Sequence, residues 1–153
     1  MIKERLLLVS DSSRAKLWKL KGATEWTPKQ VFDHPDSRAK GTDLKSSAQG
    51  RKSEGAGSVS STSMQSHHEI HQVEEEKFAA ALALALDHEA GQNQVESVVL
   101  VAPPEFLGIL RKKLSKRVEQ LVTQTFHKNL IQHPDHEMHA EIIKLMGPVN
   151  LVT

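Results

Sequence analysis

The first part of the chain carries short apolar runs with the length and spacing of β-strands. RLLLVS at 5–10 and RAKLWKL at 14–20 are separated by residues 11–13, an Asp and two Ser that favour a turn. A third run, KQVFDH at 29–34, ends at Pro35, which cannot continue a hydrogen-bonded strand. The pattern therefore predicts a β-hairpin followed by a third strand.

Two of the apolar runs indicate how the sheet is covered. In the second run, alternation places Ala15 and Leu17 on one face of the strand and Trp18 and Leu20 on the other. The run ESVVLVAP at 96–103 is continuously apolar, which is typical of a strand buried on both faces. We therefore expect this strand to lie in a parallel part of the sheet, with helices on both sides.

The remaining patterned segments alternate between helix and strand. Helical spacing predicts a helix over 69–90, stopped by Gly91, and another over 103–117 with Pro at its start. Residues 118–130 resemble a strand, and 133–147 a final helix. These elements predict one α/β domain over residues 1–153, built on a mixed sheet with packed helices.

Residues 36 to about 66 interrupt this pattern. They are small and polar, rich in Ser and Gly, and show neither a helical nor a strand period. A structureless insertion of this length inside a compact domain is uncommon and is usually either functional or disordered. We predict a long flexible loop here, and the pattern alone leaves open whether it is a passive linker or a working part of the protein.

Composition narrows the function classes. The 20 Lys and Arg balance the 19 Asp and Glu, so the formal net charge of +1 gives no reason to expect nucleic-acid binding from overall charge. The absence of cysteine excludes disulfides and thiolate ligands. No apolar stretch has the length of a membrane span or of a signal-peptide core, so we expect a cytoplasmic protein without a membrane partner. The oligomeric state stays open.

Motifs for enzymatic and metal chemistry are weak. The serines around Asp11 lack the Gly-x-Ser-x-Gly elbow of a nucleophile, and GAGS at 55–58 is not a phosphate-binding loop. The nine histidines include two groups with helical spacing, His67 with His71 and His133 with His136 and His139. Zinc needs three or four convergent ligands, and solvated histidines at helix starts explain the spacing better. We predict neither a metal nor another cofactor.

Two local clusters of cations are more informative. One lies in the predicted loop and comprises Arg38, Lys40, Lys45, Arg51 and Lys52. The other lies at the end of the helix over 103–117 and comprises Arg111, Lys112 and Lys113. Such residues often form a solvated surface, and cations at a helix C-terminus also stabilise the helix dipole. An anionic partner such as RNA, bound through its phosphates, is the alternative.

Several segments together resemble a known family. VSDSSRAKLW at 9–18, FDHPDSRAKGTDL at 32–44, QGRKSEGAGS at 49–58 and VAPPEFLGILR at 101–111 occur in the order found in the bacterial host-attachment protein family. Members of that family are described as required for attachment to host cells. The resemblance spans nearly the whole chain, and the segment at 101–111 is its most specific part.

That family is in turn similar to the middle domain of archaeal and eukaryotic peptide-chain release factors, which contains a ribonuclease H-like motif. In those proteins a loop before the first long helix carries a Gly-Gly-Gln motif whose glutamine assists hydrolysis of peptidyl-tRNA. The predicted loop has the corresponding position, and Gln49 in AQGR at 48–51 corresponds to the catalytic glutamine. Ala48 precedes Gln49 here, so the two glycines of the motif are absent.

Three functions follow from the resemblance and from the charged clusters. The first is an RNA- or ribosome-binding protein that affects attachment indirectly and contacts ribosomal or transfer RNA through the two basic clusters and Gly50. The second is a peptidyl-tRNA ester hydrolase in which Gln49 orients the attacking water. The third is a protein-interaction module, or an exported attachment factor, whose loop binds a protein partner.

Overall fold

The structure is a computed structural model, and it describes residues 4–21, 25–35, 60–92 and 95–147, with side chains in the third range described from residue 69. Within these ranges the chain forms five strands and four helices. Their bounds are β1 Glu4–Ser10, β2 Arg14–Lys21, β3 Glu25–Asp33, α1 Ser60–Gln92, β4 Val95–Ala102, α2 Pro104–Lys113, α3 Lys116–Leu121, β5 Val122–His127 and α4 Asp135–Met146.

The five strands form one mixed sheet in the order β3-β2-β1-β4-β5. The predicted hairpin is confirmed, since β1 pairs antiparallel with β2 and β2 antiparallel with β3. β4 pairs parallel with β1 on one side and with β5 on the other. The carboxyl ends of β1, β3, β4 and β5 consequently lie at the same edge of the sheet, which we call the carboxyl edge.

Both faces of the sheet are covered, as the continuous apolar pattern of β4 predicts. Val98 and Leu100 belong to the core under α1, α2 and α3, whereas Val99 and Val101 belong to the core under α4. The alternation predicted for β2 is also confirmed. Its Ala15 and Leu17 lie in the first core, and its Trp18 and Leu20 in the second.

The core under α1 depends on close contact between helices and sheet. α1 contributes large and small buried residues at helical spacing: Phe78, Ala79, Leu82, Ala83 and Leu86. The alanines have no side chain beyond Cβ, so the helix backbone lies close to its neighbours, and Phe78 packs on Phe106 of α2 with ring centroids 5.8 Å apart. The Ala-rich sequence thus provides both helix propensity and close packing.

The second core has an aromatic cluster beside the buried Met138 and Ile142 of α4. His139 stacks on Trp26 with ring centroids 4.0 Å apart and meets Trp18 edge-on at 4.9 Å. Its Nε2 is buried and has no hydrogen-bond partner among the described residues. Burial lowers the pKa of His139 below its ordinary 6.5; Asp135 opposes this effect and Lys16 adds to it.

Three predicted boundaries are wrong. α1 begins at Ser60 rather than near residue 69, so the last residues of the predicted loop are helical. The predicted helix over 103–117 is two helices, because the backbone is extended at Leu114 and the Ser115 hydroxyl then caps α3 by accepting a hydrogen bond from Val118 N at 3.2 Å. Residues 118–121, expected to be strand, complete that short helix. The rest of the predicted loop, 36–59, lies outside the described residues.

In the described ranges, no helix combines the length and apolar character that crossing a bilayer requires. This holds for α1 as well, although it runs for 33 residues. Charged and polar residues between Glu69 and Lys77 interrupt its apolar positions.

Leu100→Ala is expected to destabilise the fold, because it leaves a cavity beside β4, an inner strand that is covered on both faces. Leu100 is fully buried, and deletion of such a side chain typically costs about 2–5 kcal/mol of the free energy of unfolding. Urea denaturation measures this value. Leu84→Ala is the matched control, since Leu84 on α1 is 71% exposed and its removal leaves no cavity. Equal effects of the two changes would contradict the assigned core.

His139 is expected to make the fold sensitive to mild acid. Its pKa in the folded protein lies below the value of 6.5 expected in the unfolded chain, so below pH 6.5 the unfolded chain binds more protons. The free energy of unfolding should therefore be highest above pH 6.5 and fall as the pH drops below it. Urea denaturation at several pH values measures this slope.

Two variants test this assignment. His139→Phe keeps an aromatic ring against Trp26 but has nothing to protonate, so the acid-side slope should become smaller. His136→Gln, on the exposed side of the same helix, should keep the slope of the unmodified protein. A slope that is unchanged in His139→Phe would show that another group causes the acid sensitivity.

Candidate functional site

The carboxyl edge is shaped first by the turn between β1 and β2. The Asp11 carboxylate accepts hydrogen bonds from the backbone N–H of Ser13 at 2.9 Å and of Arg14 at 2.8 Å. The buried Ser10 hydroxyl donates to the carbonyl of Asp11 at 2.7 Å. These bonds confirm the turn predicted for residues 11–13, and they engage Asp11 in holding the backbone.

His34 is anchored at this edge by three contacts. Its backbone N–H donates to the carbonyl of Ser13 at 2.7 Å, and its Nε2 lies 2.8 Å from Oε1 of Glu74 on α1. Its ring also stacks on Phe78 with centroids 5.5 Å apart. His34 thereby joins the end of β3, the β1–β2 turn and α1 at the point where the chain continues into 36–59.

The Glu74 carboxylate contacts both His34 and Lys77. The hydrogen bond from His34 is the main cause that lowers the pKa of Glu74 below its ordinary 4.5, and Lys77, with Nζ 3.3 Å from Oε2, adds to it. Burial opposes the shift. The carboxylate is therefore held in its ionised form, which strengthens its bond to His34.

The same turn of α1 also contacts the basic end of α2. Lys113 Nζ lies 3.5 Å from Oε1 of Glu76, two residues after Glu74. Because Glu74 holds His34 and Glu76 holds Lys113, one turn of α1 links the exit of β3 to the last turn of α2. We call the set His34, Glu74, Glu76 and Lys113 the α1 junction.

The described ranges contain only part of the predicted site. Arg111 and Lys112 are exposed on the last turn of α2, and among the described residues neither forms an ion pair. Lys113 lies beside them. The loop members lie outside the described residues; these are Arg38, Lys40, Lys45, Gln49, Gly50, Arg51 and Lys52.

Arg117, which follows the basic cluster at 111–113 in the sequence, has a structural role. Its guanidinium is paired with Asp87 Oδ1 at 3.1 Å and donates to the Asp87 carbonyl at 3.2 Å. The Ser115 hydroxyl donates to the same carboxylate at 2.7 Å, and this bond is the main cause of the lowered pKa of Asp87. Arg117 and Ser115 therefore fix the start of α3 to α1.

The histidine groups do not form a metal centre in the part of the chain that is described, where no three acidic or histidine side chains converge. His133 and His136 each lie near Glu137, with closest N···O distances of 3.6 and 3.9 Å, whereas His139 lies between the tryptophans. The side chain of His67 lies outside the described residues.

Sequence reasoning did not identify Glu74 and Glu76 as site residues. The sequence did contain a signal for His34, in the His34-Pro35 pair of the family resemblance. No local pattern indicated that Glu74 would be its partner, since 40 residues separate them. Only the packing of α1 on the sheet brings the two side chains together.

Comparison with known proteins identifies the family. A family model described as "Protein required for attachment to host cells" matches residues 6–142. The chain belongs to this family. No curated protein matches it in sequence.

Solved structures show the fold. The archaeal translation termination factor aRF1 matches with a TM-score of 0.51 and 10% identity, over 94% of this chain and 39% of that one. Two structures of Dom34 from S. cerevisiae, a translation termination-like factor, match with a TM-score of 0.43 and 12% identity, over 93% and 95% of this chain and 36% and 37% of theirs. This chain thus spans well under half the length of these proteins. The likeness to aRF1 confirms the predicted release-factor-like fold.

His34→Phe is expected to raise the pKa of Glu74 toward 4.5. The substitution keeps an aromatic ring against Phe78 but removes the hydrogen bond that is the main cause of the lowered value. An NMR titration of the Glu74 side-chain carboxyl measures the pKa. Lys77→Met is the comparison and should raise the pKa less, because Lys77 is the smaller contributor. A larger rise in Lys77→Met would contradict this order.

Proposed function

We propose that this protein binds RNA, with the ribosome as its principal partner, through the basic groups of segment 36–59 and those of the last turn of α2. The main support for the proposal is that one turn of α1 contacts both the end of β3 and the end of α2. Glu74 holds His34, where β3 leads into the cation-bearing segment 36–59, and Glu76 holds Lys113, next to Arg111 and Lys112. The chain therefore enters segment 36–59 beside the same turn of α1 that contacts the basic end of α2.

The charges at this junction favour an anionic partner. Arg111 and Lys112 point away from the core at an exposed helix end, and their guanidinium and ammonium groups have no acidic partner among the residues that the structure describes. Lys113 is partly neutralised by Glu76. Exposed cations of this kind contact phosphates in a salt-dependent manner, without base specificity.

The fold supports the ribosome as the RNA to test first. aRF1 is named as a translation termination factor, and its likeness to this chain is one of fold, which by itself does not determine function. In the sequence, segment 36–59 precedes the first long helix, which is the position of the Gly-Gly-Gln loop in release factors. A ribosome-binding role places the protein in the cytoplasm and makes its effect on host attachment an indirect one, through translation.

Co-sedimentation with ribosomes across a salt series tests the proposal. Arg111→Ala/Lys112→Ala is expected to weaken binding and to lower the slope of log K against log salt by about 1 to 2, since up to two phosphate contacts are lost. Arg51→Ala/Lys52→Ala in segment 36–59 should have a similar effect. Combining the four changes should lower the slope further.

Lys128→Ala/Lys144→Ala provides a control with the same change in net charge. Both lysines are exposed, and they lie outside the α1 junction, after β5 and near the end of α4. This variant should retain ribosome binding. Equal losses in the control and in Arg111→Ala/Lys112→Ala would mean that only net charge matters. No sedimentation of the unmodified protein at low salt would overturn the proposal.

A further inference from the structure

Gly108 lies in the middle of α2 at an exposed position where the fold itself does not require a glycine. A Cβ atom at Gly108 would have nothing within 4 Å, so no neighbouring group excludes a side chain. Its backbone does not take the positive φ that favours glycine, which among the described glycines is found at Gly147. Gly91 has a packing reason, since a Cβ there would lie 3.0 Å from the Arg117 guanidinium. Of these three glycines, Gly108 alone has no internal explanation.

Glycine at this position lowers the stability of α2. In a helix interior it is less favourable than every residue except proline, because it has the most backbone freedom to lose on folding. No close contact among the described residues offsets this cost at Gly108. The other use of glycine in proteins is to let a ligand or another chain approach the backbone closely. The exposed position therefore indicates a partner that contacts α2 at Gly108.

The helix surface around Gly108 carries cations. Arg111 and Lys112 follow Gly108 by three and four residues, so they lie next to it on the same side of the helix. Both are exposed, and neither has an acidic partner among the described residues. Pro104 lies one turn before Gly108 and is also exposed, as is Glu105. We call these five residues the Gly108 surface.

The chemistry of the Gly108 surface favours the backbone of an RNA double helix. Its two unpaired cations complement the charge of phosphate groups. The exposed residues of α2 include no aromatic side chain, because its only aromatic residue, Phe106, is buried. Single-stranded RNA is usually bound by aromatic side chains on which its bases stack, whereas double-stranded RNA is recognised mainly by its shape and its backbone.

We propose that the Gly108 surface binds the sugar–phosphate backbone of double-stranded RNA, with Gly108 at the point of closest approach. This inference rests on the proposed RNA binding, and it specifies the form of the RNA and the side of α2 that contacts it. Arg111 and Lys112 contact phosphates, and the absence of a side chain at Gly108 lets the strand lie against the helix backbone. Glu105 repels phosphate and limits the contact on its side of the helix.

Fluorescence anisotropy with a labelled RNA duplex of about 16 base pairs tests this inference. Gly108→Gln adds a polar side chain without changing the net charge and is expected to weaken binding about tenfold or more, because the new side chain overpacks the contact. Gly108→Ala should cause a smaller loss in the same direction. Both variants should raise the melting temperature by about 2–4 °C, since both residues are better helix formers than glycine. A loss of binding then cannot come from unfolding.

Two further variants and a second RNA provide the controls. Ala140→Gln introduces the same side chain at an exposed position on α4, across the sheet from α2, and should leave duplex binding unchanged. Glu105→Gln removes a carboxylate beside the contact and should tighten binding. A single-stranded uridine oligomer of the same length should bind more weakly than the duplex, because the surface offers no stacking platform.

The outcomes separate this inference from the proposed function. Duplex binding that weakens in Arg111→Ala/Lys112→Ala but not in Gly108→Gln would overturn the inference and leave RNA binding in place. Equal losses in Gly108→Gln and Ala140→Gln, or tighter binding of the single strand than of the duplex, would overturn it as well. Failure of the unmodified protein to bind either RNA or the ribosome at low salt would overturn both proposals.

Discussion

The burial of β4 and β1 between two helical layers is the constraint on which the rest of the structure depends. β4 pairs with a parallel strand on each side, so its backbone hydrogen bonds are made within the sheet while its side chains are shielded on both faces. Helices must therefore cover both faces. This requirement places α1, α2 and α3 on one side and α4 on the other, and it aligns the carboxyl ends of four strands at one edge.

Polar side chains are concentrated at the carboxyl edge. The strand ends leave backbone groups that the sheet does not satisfy, and short side chains such as those of Ser10 and Asp11 bond to them locally. His34 then connects the edge to α1 through Glu74. The α1 junction is consequently held by hydrogen bonds and ring stacking, and Arg111 and Lys112 lie exposed beside its Lys113. A rigid base with projecting charges suits contact with a large, irregular anionic surface.

The two faces of the sheet differ in the kind of partner they suit. On the α1 side, exposed Arg111 and Lys112 present charge without a concave surface, which favours contact with the backbone of a nucleic acid. On the α4 side, Arg14 and Lys16 line an open cleft against residues 131–134, and Lys16 Nζ bonds Asp135 at 2.6 Å near His139.

The sequence by itself determined the features that depend on local periodicity. The hairpin around Asp11, the two-faced burial of β4 and the Pro-initiated α2 follow from alternation, continuous apolar runs and turn residues, which act over a few neighbours. Prediction from the sequence failed where a side chain also bonds a residue that is distant in the chain. Ser115 was expected inside a helix, yet α2 ends before it at Lys113, and the Ser115 hydroxyl caps α3 and also donates to Asp87 of α1.

The tertiary structure decided everything that depends on residues distant in sequence. The sheet order and the partnership of His34 with Glu74 arise from packing, and no local pattern encodes them. The basic residues were visible in the sequence as two separate clusters. The contacts of His34 and Lys113 with one turn of α1 exist only because hydrophobic burial presses that helix against the sheet, and burial acts on surface area regardless of chain separation.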